Sequence, residues 1–256
     1  MPKAGCINDR EDKMTETYQG VNTIAPLKNV ARFSELLYML VNREPELPGF
    51  GTFSGRAGLG KTFAAMYGIN EYRAFYVECG FTWTQKAFVE AVMVECGLLP
   101  PRAVLKKPIY RAVEEIGDHL ADHPRRPLII DEADFLVKRG MIEIVRDIYK
   151  VCAASGSAIV LIGEENMPNA LKMWERIDSR VLKNAPAEET DNEDVQHLSK
   201  LVCPQLKLEG AVIEKLRRCT NGSARRVVAK LYGLREHAAL SGLSQISLND
   251  WDPAEA

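Results

Sequence analysis

Gly55-Arg56-Ala57-Gly58-Leu59-Gly60-Lys61-Thr62 is the stretch on which the fold of this chain turns. The octet fits G-x-x-x-x-G-K-[ST], the spacing of a loop whose backbone N–H groups wrap the phosphates of a nucleotide. Its glycines permit backbone angles and close approaches that a Cβ forbids. The N–H groups form an anion nest at a helix N-terminus, where the helix dipole also favours negative charge. Lys61 can then reach the β- and γ-phosphates, and the Thr62 hydroxyl can ligate Mg²⁺. Working outward, residues 49–54 read as the short strand before the loop and residues 63–67 as the helix after it.

Beyond these flanks, apolar runs alternate with amphipathic ones in the rhythm of an α/β sheet. Residues 30–43 carry Phe33, Leu36, Leu37 and Leu40 at helical spacing and predict a helix ahead of the first strand. Strands are expected at 74–78, 127–131 and 158–162, with helices at 84–96, 109–123 and 141–154. Thr82 or Thr84 would cap the first of these helices, and Pro108 opens the second. Past Pro186 the pattern changes. Residues 188–194 read as an acidic linker, and helices are expected at 194–202, 211–219 and 224–239.

The strand ending at Asp131 and Glu132 supplies partners for the phosphate loop. Asp131 is placed to hold Mg²⁺ through its water shell, and Glu132 to polarise an attacking water as a general base.

These motifs, in this order, resemble an AAA+ ATPase. After Ile129-Ile130-Asp131-Glu132-Ala133-Asp134 come a strand with a polar tip, Asp178-Ser179-Arg180, and Gly222-Ser223-Ala224-Arg225. The resemblance runs from about Thr17 to Ala239. It implies a three-layer α/β core with a parallel sheet, followed by a small helical lid. Residues 1–20 would form a flexible arm, 21–190 the core, 191–243 the lid and 244–256 a tail. It also implies that ATP is hydrolysed with Mg²⁺. Arg180, or its neighbour Arg176, would be an arginine finger acting on a neighbouring subunit's nucleotide. Arg225 would reach the γ-phosphate from the lid, with Arg226 able to take its place. The polar tip departs from the family's neutral residue: it reads Gly163-Glu164-Glu165-Asn166. Charge favours Asn166 there and register favours Glu164.

Within that superfamily the chain most resembles the B proteins of Mu-like transposing phages and related transposon target-selector ATPases. The resemblance rests on the compact core, the short lead-in through Leu27–Phe33 and the minimal helical lid. It implies homo-oligomeric filaments on double-stranded DNA that recruit and stimulate a transposase. No helix-turn-helix pattern is legible ahead of the core, so DNA contact is expected on the core itself. Arg102, Lys106, Lys107 and Arg111 form the basic strip expected to pair with phosphates without reading sequence. Lys138 and Arg139 make a smaller second patch. An AAA+ ATPase acting on protein partners, without DNA, is the competing reading.

Composition bounds these expectations. A net charge of −2 over 256 residues excludes a uniformly basic coat and allows only a local basic strip. With 46% hydrophobic residues the chain can bury a sizeable core without staples. The six cysteines include no C-x-x-C pair and read as reduced thiols. No apolar run approaches a membrane span, and residues 1–19 lack the segments of a signal peptide, which together predict a cytoplasmic protein. Phe81 and Trp83 read as core aromatics at a strand–helix junction, and His119 and His123 as one helix face.

Overall fold

The computed structural model describes residues 27–252. The expected arm, residues 1–20, lies outside the described residues, as does the end of the tail. The chain opens with α1 (Lys28–Val41), β1 (Phe50–Ser54), α2 (Lys61–Tyr72) and β2 (Phe75–Glu78). It continues through α3 (Gln85–Glu95), α4 (Ile109–Asp122), β3 (Leu128–Asp131), α5 (Asp134–Lys138) and α6 (Ile142–Cys152). Then come β4 (Ile159–Gly163), α7 (Met167–Leu171), α8 (Glu175–Asp178) and β5 (Val181–Pro186). The C-terminal part holds α9 (Asn192–Val202), β6 (Lys207–Leu208), α10 (Gly210–Cys219), α11 (Ala224–Ser241) and β7 (Gln245–Ile246).

Five parallel strands form one sheet in the order β2-β3-β4-β1-β5. The three inner strands are buried at every position, as a parallel sheet covered on both faces requires. Strand side chains alternate between the two faces. Phe50, Leu128, Ile130, Ile159 and Leu161 pack on the side of α3, α4 and α6, while Phe53, Ile129, Val160 and Ile162 pack with α1 and α2. The second cluster runs on without a break into α9, α10 and α11 through Val195, Leu198, Val227 and Leu231. The α/β layers and the C-terminal helices therefore share one apolar core.

The expected fold class, a three-layer α/β core on a parallel sheet, is the one observed. Three local features go beyond the sequence reading. The edge strand β5 escaped notice because Lys183 and Asn184 are exposed and Pro186 ends it, so it lacks the apolar run of an inner strand. Residues 188–194 are not a free linker. Glu188 pairs with Arg32 and Lys28, Glu189 pairs with Arg56, and Asp191 caps α9 in a reciprocal capping box with Asp194. The start of the tail is tied down as well: β7 pairs in parallel with β6, and Trp251 is buried.

Gly68 marks a tight helix–sheet approach. A Cβ there would lie 2.7 Å from Leu37 Cδ1 and 2.8 Å from Ile129 Cδ1. Gly68→Val should destabilise the protein by about 2 kcal/mol through overpacking, read as a lower urea midpoint with an unchanged slope.

Candidate active site

Each element delivers its functional residue at the C-terminal ends of the strands. The loop after β1 turns straight into α2, with Gly60 as N-cap at φ 85° and Gly58 at φ 84°. These are left-handed conformations that L side chains rarely adopt. Gly55 N–H donates to Gly163 O at 3.3 Å and Ala64 N–H to Gly60 O at 2.9 Å, which fixes both ends of the loop.

Strand β3 brings its tip to the same place. Thr62 Oγ1 donates to Asp131 Oδ2 at 2.8 Å across 69 residues of sequence. Tyr76 Oη donates to the same oxygen at 3.1 Å, and Glu132 N–H to Asp131 Oδ1 at 2.8 Å. Asp131 is thus buried with both oxygens engaged. The next residue, Glu132, is held at φ 53°, an uncommon backbone state for a side chain of its size. That turn aims Glu132 at the cavity.

The cavity measures about 540 Å³. Its polar end is formed by Ala57, Gly58, Gly60, Lys61, Thr62, Glu132 and Glu164, and its apolar end by Leu27, Leu198, Leu201, Val202, Val228 and Tyr232. Helix α11 closes one side. Arg225 N–H donates to Gly58 O at 3.1 Å, and Ser223 Oγ donates to the same carbonyl at 3.3 Å. Arg225, Val228, Tyr232 and Arg235 line the cavity as one helical stripe at i, i+3, i+7 and i+10.

Burial shapes the charges. It pulls the Lys61 ammonium pKa below its ordinary value against the pull of Glu132 and Asp131. It raises the Glu132 carboxyl, helped by Asp131 and Asp134 and opposed by Lys61. The Tyr76 phenol is also pushed up, first by burial and then by Asp131, so it stays a donor. Cys79 nearby is pushed up to about 12 by burial, which leaves its thiol unreactive.

The predicted residues divide into those the cavity gathers and those it does not. Lys61, Thr62, Glu132 and Arg225 line it, and Asp131 stands behind Thr62. Gly55, Arg56 and Leu59 face the other side of the loop, toward Glu188 and Glu189. Of the two residues proposed for the polar tip, Glu164 lines the cavity. Asn166 instead stands at the N-cap position of α7, its Oδ1 accepting from Asn169 Nδ2 at 3.3 Å, and it does not line the cavity. Arg226 does not line the cavity either.

Arg176 and Arg180 sit at the opposite end of the sheet. Phe50 N–H, at the start of β1, donates to Arg180 O at 3.0 Å, whereas the loop follows the end of β1. About 13 Å of strand separates them from the phosphate loop within one protomer. Arg180 Nη1 donates to Arg176 O.

The basic strip is partly neutralised. Lys107 binds Glu115 at 2.6 Å and Arg111 binds Glu114 at 3.1 Å, while Arg102 and Lys106 are exposed. Trp83 packs against the core as expected; Phe81 does not, being 64% exposed with the Arg139 guanidinium over its ring. His119 and His123 stack on each other and on Phe75, and no metal-binding cluster occurs among the described residues.

Two contributors escaped the sequence reading. Arg235 was legible only through its place on the α11 stripe. Buried Asn29 donates to Leu59 O at 2.8 Å and Glu188 O at 2.7 Å and accepts from Glu188 N at 2.9 Å. It sits on α1, outside every motif.

The sequence matches the family model of the AAA domain over residues 43–171. The chain belongs to the AAA domain family. Such domains are in general nucleotide-hydrolysing, with ATP and Mg²⁺. Solved structures agree on the fold. The Aeropyrum pernix ORC1 protein in complex with DNA superposes with a TM-score of 0.63 at 18% identity, over 87% of this chain and 62% of that one. Cdc6p from Pyrobaculum aerophilum gives 0.60 at 18% identity, over 86% and 64%. The Thermotoga maritima RuvB Holliday junction branch migration motor gives 0.55 at 15%, over 89% and 70%. The chain therefore spans less than two thirds of the ORC1 and Cdc6p chains. No curated protein matches the sequence. No helix among the described residues is long and apolar enough to cross a membrane.

The contact of this AAA domain's loop with α11 can be tested directly. A Cβ on Gly58 would meet Ser223 Oγ at 2.5 Å and force a residue into φ 84°. Gly58→Ala should release the Arg225 amide, seen as faster hydrogen exchange at Arg225 than in the wild type.

Proposed function

We propose that this AAA domain binds and hydrolyses ATP with Mg²⁺, and uses that cycle to assemble on double-stranded DNA. One observation carries the hydrolysis reading: Lys61, Thr62 and Glu132, with Asp131 bonded behind Thr62, line a 540 Å³ cavity that Arg225 borders. The residues fit the ligands. The volume suits a nucleotide, whose base would take the apolar end near Tyr232 and whose phosphates would take the loop. Thr62 and Asp131 are hard oxygen donors of the kind Mg²⁺ prefers. When bound, Mg²⁺ would neutralise phosphate charge.

This chain's own residues do the rest. The loop N–H groups and Lys61 bind and orient the phosphates. Glu132, set by its left-handed backbone, accepts a proton from the attacking water. Arg225 and Arg235 are the fixed cations on the α11 side. Arg180 or Arg176, too far to serve its own nucleotide, would serve a neighbour's in a homo-oligomer. In this reading residues 191–243 act as the lid and 21–190 as the core.

For the partner, we infer sequence-indifferent contact with double-stranded DNA and delivery of that DNA to a transposase, as the resemblance to Mu-type B proteins implies. The DNA half draws support from fold neighbours whose structures contain DNA, ORC1 from Aeropyrum pernix and Drosophila ORC. Among the described residues, Lys107 and Arg111 are paired with carboxylates, so the exposed Arg102 and Lys106 are assigned the phosphate contacts.

Lys61→Ala should abolish ATP binding, and Glu132→Gln should retain binding but lose turnover by about a hundredfold or more, measured by nucleotide titration and phosphate release. Because its carboxyl titrates above the ordinary 4.5, the acid limb of kcat should lie above pH 4.5 and vanish in Glu132→Gln. Electron microscopy with double-stranded DNA tests the partner. ATP-dependent filaments, weakened by salt and by Arg102→Ala with Lys106→Ala, are expected; closed rings indifferent to DNA would transfer the proposal to protein partners.

A further inference from the structure

The nucleotide cavity has a charge problem that the phosphate-loop lysine alone does not solve. Glu132 and Glu164 both line it, Asp131 and buried Asp134 stand directly behind, and a bound triphosphate would add more negative charge. Glu164 is the odd member. It follows β4 immediately, one residue past Gly163, whose carbonyl anchors the start of the phosphate loop. Its carboxylate is close enough to act on Lys61. A bare carboxylate in that position would repel the phosphates the loop is built to hold.

Lys138 answers it. Its Nζ lies 3.0 Å from Glu164 Oε2 and 2.9 Å from Asp134 Oδ2. Asp134 is the fixed end of the unit: its side chain is 4% exposed and its other oxygen accepts from Glu164 N–H at 3.4 Å. Lys138 reaches Asp134 at i, i+4 along the short helix α5. Backbone and side chain of Glu164 are therefore held by two groups on the segment that follows the catalytic Asp-Glu pair. These two hydrogen bonds also raise the Lys138 ammonium above its ordinary value, so it keeps its charge.

We propose that Lys138 is a positioning residue of the ATP site, neutralising Glu164 so that a carboxylate can stand on the cavity wall beside the phosphates. This rests on the ATPase reading above. Lys138 itself does not touch the nucleotide; it acts through Glu164. An exposed ion pair with no such task would contribute almost nothing measurable, and removing either partner would leave ATP affinity unmoved.

The test is a double-mutant cycle on ATP affinity, with thermal melting to check the fold of each variant. Lys138→Met should raise the Kd and KM for ATP by about fivefold, with kcat at saturating ATP little changed. Lys138→Arg should behave as wild type. Glu164→Gln alone should bind ATP at least as tightly as wild type, and adding it to Lys138→Met should recover most of the lost affinity. Unchanged affinity in Lys138→Met, a loss that Glu164→Gln does not recover, or weaker binding by Glu164→Gln alone would each overturn the proposal. Failure of the folded wild type to bind ATP would overturn the ATPase reading and this inference with it.

Discussion

A loop that turns its N–H groups inward to hold phosphate must find donors for the carbonyls it turns outward, and the rest of the structure follows from meeting that demand. Lys61 Nζ donates to Gly55 O at 2.7 Å and to Arg56 O at 3.0 Å. Gly58 O is met by Arg225 N–H and Ser223 Oγ, Leu59 O by Asn29, and Gly60 O by the first turn of α2. The donors come from three regions far apart in sequence: α1, α2 and α11. The loop is where the N-terminal helix, the sheet and the C-terminal helices are stitched together. Its conformation cannot change without disturbing contacts of all three.

The same stitching explains why the acidic stretch after β5 matters. Glu188 is bound through its backbone by Asn29 and through its carboxylate by Lys28 and Arg32, while Glu189 holds Arg56 on the loop. Exposed pairs of this kind are individually weak. Their effect here is geometric: they fix the strand exit against the outer face of the phosphate loop, just before α9 departs. Motion of the C-terminal helices therefore has to pass through residues that also hold the loop. The loop is thus joined to α11 through Gly58 O, and through Asn29 to Glu188 just before α9.

How legible this was depends on whether a residue's role was local. The phosphate loop, the Asp131–Glu132 tip and the fully apolar strands could be read because spacing or period alone defines them. Thr62 and Asp131 could be paired across the sequence because both belong to known motifs. Strand β5 could not, since an edge strand buries one face at most and its Lys-Asn-Ala-Pro sequence carries no period. Asn29 was invisible for a different reason. Its whole role is tertiary, and on α1 it reads as one polar residue among apolar neighbours. The polar tip divided evenly on sequence because charge and register gave opposite answers. In the structure Glu164 lines the cavity, and a counter-charge for it sits on another element, Lys138.

The remaining asymmetry concerns the two ends of the sheet. At the C-terminal end, the cavity is lined by Glu132, the phosphate loop and two α11 arginines. At the N-terminal end, Arg180 lies beside the start of β1, lining a cleft with Pro45, Leu47 and Tyr149, and Arg176 stands one helical turn before it. The strand between is rigid and buried on both faces, so no hinge within the protomer brings these arginines to the loop. In the proposed oligomer, their guanidinium groups would meet a nucleotide held in the cavity of a second copy. An arrangement of that kind is head-to-tail, and a head-to-tail contact repeats: it closes into a ring or continues as a helix. In the proposed use of these arginines, each copy would offer its cavity to one neighbour and its arginines to another, in a ring or a filament. The twist between successive copies decides between the two.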